Sequence, residues 1–278
     1  MFTATPKRQH AERDQLSVLL AVTLFCAALF RFVELPTFTW GIPHILGSPL
    51  GFSLTGDWML AVLMTGLVAT GTLSIMQSHP LHDKQERSIV FSLITPSIGT
   101  LLGSLFLIRA TTWSAWLGTL ILDGIFIGIL VHFSYRATSP DSSGYATSRT
   151  ILNVADYLIC FVLFGLILKS QGRALILAPT TFVITGMLAL DLLSAAGTKS
   201  DSVLLFGAIL ALLESEWVWV LGYWPVSEWT AAASLTLILY LLNGILYQYL
   251  LKRLTQRVIW EFAVVAICVL MMVLWLKP

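Results

Sequence analysis

Nine stretches of roughly twenty mostly apolar residues follow one another along this chain, and that repetition limits what it can fold into more than any motif does. They lie near 16–35, 58–77, 89–108, 113–135, 151–169, 174–196, 203–222, 230–251 and 258–276. A helix needs about 20 such residues to cross about 30 Å of hydrocarbon. Lipid offers no partner for a backbone N–H or C=O, so each crossing must satisfy its own hydrogen bonds, as an α-helix does. The expected fold is therefore all-α: a polytopic transmembrane helix bundle of eight or nine helices, the ninth run ending within a few residues of Pro278. Residues 1–278 are read as one transmembrane domain without a soluble catalytic part.

Composition agrees. The chain is 57% hydrophobic and 11% charged, against about 45–50% and about 25% in soluble domains. Too few polar side chains remain to coat a water-soluble globule. A net charge of +1 offers nothing to a nucleic acid. Cys26, Cys160 and Cys268 fall singly in apolar runs, without the spacing of a zinc site or a disulfide framework. The basic start and first apolar run look like a signal sequence. No small-x-small cleavage pattern follows, though, so an uncleaved first helix is expected.

The positive-inside rule orients the bundle. With the N-terminus cytoplasmic, Lys7, Arg8, Arg13, Lys84, Arg87, Arg136, Arg149, Lys199, Lys252, Arg253 and Arg257 face the cytoplasm. Arg109, Lys169, Arg173 and Lys277 face outward. All tryptophans but Trp260 then fall in the outer half, the headgroup level that suits an amphipathic ring. The segment 36–57 is the one long outer connection, with Pro36, Pro43 and Pro49, four glycines and no lysine or arginine. It reads as a loop lying on or in the interface. The inner stretch 136–149 reads as a flexible linker.

That linker divides the chain into halves, 16–135 and 150–251, with an extra helix over 258–276. Thr65-Gly66 recurs as Thr185-Gly186, and Leu122-Asp123-Gly124-Ile125 as Leu242-Asn243-Gly244-Ile245, both at the same offset. Two parallel four-helix repeats would produce such matches.

An ionisable side chain in hydrocarbon costs about 2.5–3.5 kcal/mol on insertion scales, so each needs an explanation. At 1.5 Å of rise per residue, Asp123 and Glu214 lie about 18 Å from the inner helix ends, near the midplane. No lysine or arginine shares that depth. Together with Asn243 they form a candidate proton, cation or substrate site, or neutral acids with a purely structural role. Arg31, Glu34, Asp57, Arg109 and Glu216 form an outer polar cluster. Arg31 can pair with Glu34 on one helix face, and Arg109 with Glu216 or Asp57. Asp156 and Asp191, about 8–9 Å in, sit on polar stripes with Asn153 and Cys160, and with Thr180 and Met187, and read as helix-packing groups. His79, His82, Asp83 and Glu86 read as a solvated loop, and no metal site is expected.

Walker, GxSxG, HExxH and dinucleotide motifs are all missing, and no cofactor is expected. The segments Gly222-Tyr223-Trp224-Pro225, Leu239-Tyr240-Leu241-Leu242-Asn243-Gly244 and Arg253-Leu254-Thr255-Gln256-Arg257-Val258, with Gly47-Ser48-Pro49-Leu50, resemble a family of bacterial multi-pass membrane proteins of unknown function. The resemblance implies a fold type, with no activity and no site residues attached. A fainter likeness is to membrane glycosyltransferases using lipid-linked sugars, where Glu34 or Asp57 would stand as the outer carboxylate. Their paired acidic motif and their soluble outer domain are missing.

Three functions fit a bacterial cell-membrane protein of this kind. It could be an accessory or scaffold protein packing against other membrane subunits, the reading the sequence favours. It could be an ion- or proton-coupled carrier using the midplane acids. Or it could be an enzyme or binder for lipid-linked substrates at the outer leaflet. The sequence leans away from an enzyme.

Overall fold

The computed structural model describes residues 6–33, 37–45, 48–77, 90–138, 144–170, 174–197 and 200–275. Its helices are α1 (Pro6–Phe30), α2 (Gly56–Gln77), α3 (Ile94–Arg109), α4 (Trp113–Arg136), α5 (Tyr145–Lys169), α6 (Ala174–Ser194), α7 (Ser200–Gly222), α8 (Glu228–Leu250) and α9 (Gln256–Trp275). Among the described residues seven helices are long and apolar enough to cross a membrane. They are α2, Val90–Arg109 (which contains α3), α4, α5, Ile176–Ser194 within α6, α7 and α8. In α1 the apolar part is shorter, Asp14–Phe30. The all-α bundle stands, and the chain is a multi-pass membrane protein.

The chain folds as two compact units. The first holds residues 1–89 and 96–145, the second 90–95 and 146–278. In the first, Leu19, Val68, Ile75, Ile127 and Val131 form one buried cluster, and Ala27, Leu60, Met64, Leu107 and Trp116 another. Glycines set the closest approaches: α1 leans on α4 where Leu24 meets Gly124 and Leu20 meets Gly128. Small residues one turn apart let helices approach this way in lipid, where packing drives association. In the second unit Gly207 of α7 admits Leu190 of α6, Gly244 of α8 admits Phe262 of α9, and Gly165 of α5 lies under the Trp229 ring. Many buried hydroxyls bond back into their own helix, as Thr23 does to Leu19 O at 2.8 Å and Thr100 to Pro96 O at 2.8 Å. This is how such groups are satisfied in lipid.

Three local features depart from the sequence reading. Segment 36–57 contains an antiparallel hairpin, β1 (Phe38–Ile45) and β2 (Ser48–Leu54), pairing Phe38 with Leu54 and Trp40 with Phe52. The hairpin pairs the facing backbone groups of its two strands and leaves the outer edge of each unpaired. The register slips between Ile42 and Ile45, beside Pro43, which has no N–H to donate. The first helix stops at Phe30, so Arg31 stands in a turn beyond it. And α5 begins at Tyr145, taking into the helix residues read as linker.

Substituting Gly165 tests this packing. A Cβ there would overlap Cζ3 of Trp229, part of a rigid ring with little freedom to give. Gly165→Ala is expected to destabilise by about 1–3 kcal/mol, read as a lower unfolding temperature in detergent. Adding Trp229→Leu should recover much of the loss; an unchanged unfolding temperature for the single variant would contradict the contact.

Candidate functional site

The densest polar contact among the described residues lies in the second unit, near one end of α5 and α6. Arg149 and Asp156 are about two turns apart on one face of α5 and both are buried. Arg149 is 8% exposed, Asp156 0% and Asp191 of α6 1%. The Arg149 guanidinium lies 3.4 Å from Oδ1 of Asp191 and also donates from Nη2 to the Asp191 backbone carbonyl. Ser194 donates to that same carbonyl at 2.7 Å, so the last turn of α6 is held from both sides. Helix C-terminal carbonyls have no intrahelical donor, and here a cation and a hydroxyl supply one.

Thr95 completes the group. Residues 90–92 are helical, Leu93 is a turn residue, and α3 starts at Ile94. Pro96 has no N–H to return to the carbonyl four residues back, and the helix is interrupted just before it, at Leu93. The break falls where the two units divide, and residues 90–95 belong with the second. Thr95 Oγ1 stands 2.7 Å from Oδ1 of Asp156 and 3.0 Å from Oδ2 of Asp191.

A threonine hydroxyl has one proton to donate, and ionised carboxylates only accept. A proton on one of the acids would let both short contacts at this hydroxyl be full hydrogen bonds. Arg149 lies against Asp191, which makes Asp156 the acid that would hold such a proton. With the proton there, the contacts would form a directed chain: the Asp156 carboxyl donating to Thr95, Thr95 donating to Asp191, and Arg149 closing the far end. Guanidinium, carboxylate and neutral acid together carry no net charge, the arrangement hydrocarbon tolerates.

The residues singled out from sequence are distributed differently. Asp123, in the first unit, is 4% exposed and lies against Gly103 of α3, where a Cβ would meet its Oδ1. Neither of its carboxyl oxygens has a hydrogen-bond partner among the described residues. Glu214 is 0% exposed and likewise without a partner at either oxygen. Asn243 donates to the Tyr157 hydroxyl at 3.0 Å and makes no hydrogen bond with Glu214. In the outer cluster, Arg31 sits 5.2 Å above the Trp113 ring as a cation–π contact. Glu34, its expected partner, lies outside the described residues, as do His79, His82, Asp83 and Glu86. Asp57, Arg109 and Glu216 are each exposed, with no ion pair among the described residues. The ion pairs expected of Arg109 are not formed there. Metal-ligating groups of three or more acidic, His or Cys side chains do not occur among the described residues.

Arg149 and Thr95 were not anticipated as site residues. Arg149 looked like a loop cation because Tyr145–Ser148 is not an apolar run. The signal was there: Arg149, Asn153, Asp156 and Cys160 continue one stripe of α5 by a further turn. Nothing in the sequence marks Thr95 among the chain's many threonines.

Helices of membrane-crossing length and a charge-balanced polar centre sealed inside them define the class, a multi-pass membrane protein with buried ionisable groups. Within that class the chain belongs to the family described as "Protein of unknown function (DUF5656)", whose model matches residues 40–276. No curated protein and no solved structure matches it.

Substitutions at Thr95 and Asp156 test the proton count. Thr95→Val removes the hydroxyl and should cost about 1–3 kcal/mol of stability, while Thr95→Ser should cost little. Asp156→Asn should be close to neutral in thermal unfolding, since an amide can donate to Thr95 as a protonated acid does. Severe destabilisation by Asp156→Asn would mean that Asp156 is ionised.

Proposed function

We propose that this protein is a proton-coupled carrier of a bacterial cell membrane, with its N-terminus on the cytoplasmic side. The supporting observation is the surplus acid. Holding α5 to α6 needs only Arg149 and Asp191, and that pair is electrically complete. Asp156, fully buried and joined to the pair through Thr95, adds nothing a neutral hydroxyl or amide could not add, except a proton that can leave. Losing it puts two negative charges beside one guanidinium. A change of that size is what couples protonation to a change of conformation. The orientation rests on the distribution of lysine and arginine along the sequence. The bacterial assignment rests on the resemblance described above.

One observation favours a second reading, an accessory protein that packs against other membrane subunits. Arg149 and Ser194 both hold the end of α6, as a purely structural clamp would. A role with lipid-linked substrates would draw on Asp57, exposed in the first turn of α2.

A pH jump separates these readings without knowledge of the cargo. Protein in liposomes on a solid-supported membrane should show a transient charge displacement when the pH is stepped, and Asp156→Asn should reduce it to the level of protein-free liposomes. A wild-type protein that moves no charge, but co-purifies with membrane subunits in mild detergent, would contradict the carrier and support the accessory role.

A further inference from the structure

The first unit holds a buried acid of its own, apart from the network at Thr95. Asp123 stands on the buried face of α4 with Trp116, Ile127, Leu130 and Ser134. It is 4% exposed, and neither carboxyl oxygen has a hydrogen-bond partner among the described residues. The carboxyl rests on α3 at Gly103, where the Cβ of any other residue would overlap it. An acid and a helix backbone are in direct contact there, with no side chain between them.

An ionised carboxylate only accepts hydrogen bonds, and in an apolar interior it is costly without donors. The backbone N–H groups inside α3 serve its own ladder. The buried hydroxyls along that helix are committed too: Thr100 donates to Pro96 O at 2.8 Å and Ser104 to Thr100 O at 2.8 Å. Asp123 takes part in no ion pair among the described residues. Other titratable groups on these helices stand well along them. They are His132 and Arg136 on α4, Arg109 at the end of α3, and Asp57 in the first turn of α2, which reaches α3 where Met64 meets Ser104. On α1, which meets α4 where Leu24 covers Gly124, the titratable side chain is Cys26. The form of Asp123 that this packing admits is the protonated one. A metal cation would need several oxygens around it, and the hydroxyls of α3 are already turned to their own carbonyls. The recurring stretch Leu242-Asn243-Gly244-Ile245 supplies a contrast. There the amide of Asn243, which has no proton to lose, donates to the Tyr157 hydroxyl at 3.0 Å.

We infer that Asp123 is a proton-binding site of the first unit, and that its proton holds α4 against α3 at Gly103. The carrier reading is not needed for this, since the residues that support it lie in the second unit. On release, the O–H bond of the Asp123 carboxyl breaks, the proton passes to water, and the bonding pair stays on the carboxylate. No other reactant is consumed. The ionised group finds no donor in the packed arrangement, so the contact at Gly103 opens to water. Release therefore waits on local opening, and it is slower than the charge displacement expected of Asp156.

Two measurements on the full chain in nanodiscs test this. Dicyclohexylcarbodiimide, an apolar reagent that adds to protonated carboxyls, should label Asp123 in the wild-type protein, with the adduct located by mass spectrometry. The yield should fall as pH is raised while the protein stays folded. Hydrogen exchange across α3 should be alike in wild type and Asp123→Asn at acidic pH, and faster in wild type as pH rises. Comparing the two proteins at one pH cancels the intrinsic exchange rate. Should Asp123→Asn yield too little folded protein, the labelling of the wild type carries the test alone. A yield that does not change with pH would mean the proton never leaves the folded protein, and would overturn the site. Equal exchange in the two proteins at every pH would overturn the link to α3. Labelling blocked by sodium at fixed pH would assign the position to a cation instead of a proton.

Discussion

A guanidinium cannot sit in hydrocarbon without a negative partner, and much of the second unit follows from how Arg149 meets that demand. Its partner is Asp191, and the contact holds because α5 extends back to Tyr145 and carries Arg149 into the interior. The same side chain satisfies a backbone carbonyl at the end of α6. That leaves the helix no orphan acceptor at that point. Removing one member of such a pair strands a buried charge, a far larger cost than removing both.

Around this pair the polar groups show two different solutions to burial. Asp156 and Thr95 join the ion pair and share its protons. Asp123 and Glu214 stand among helices with no hydrogen-bonding partner among the described residues. Asp123 is admitted by a missing side chain: Gly103 leaves room for its carboxyl, and any Cβ there would overlap it. A carboxyl packed against a helix backbone in this way can only persist as a neutral acid or by holding a cation. Hydroxyls are handled more cheaply, most of them returning their proton to a carbonyl one turn back.

The helices were legible in the sequence because their signal is physical and long. About twenty apolar residues are needed per crossing, and the described helices α2, α4, α6, α7, α8 and α9 begin and end within about three residues of the apolar runs. What apolarity cannot show is a helix continuing through polar residues, and Tyr145–Arg149 is such a stretch. There the helix is kept by one buried contact to a residue distant in sequence. The hairpin was missed for a related reason, because Gly and Pro over 36–57 speak against regular structure while strand pairing depends on which residues come opposite. Among the acids, depth was readable and partnership was not. Asp156 and Asp191 were placed at one level, but only the fold brings Thr95 between them.

The most direct measurement is a double-mutant cycle on the ion pair, using Arg149→Met and Asp191→Leu with unfolding free energy as the readout. A sealed, charge-balanced centre predicts that each single change costs about 3–5 kcal/mol, while the double variant recovers most of that loss. Two losses that simply add, or single changes that cost almost nothing, would show that Arg149 reaches water instead, and the charge balance on which the proton count stands would be gone.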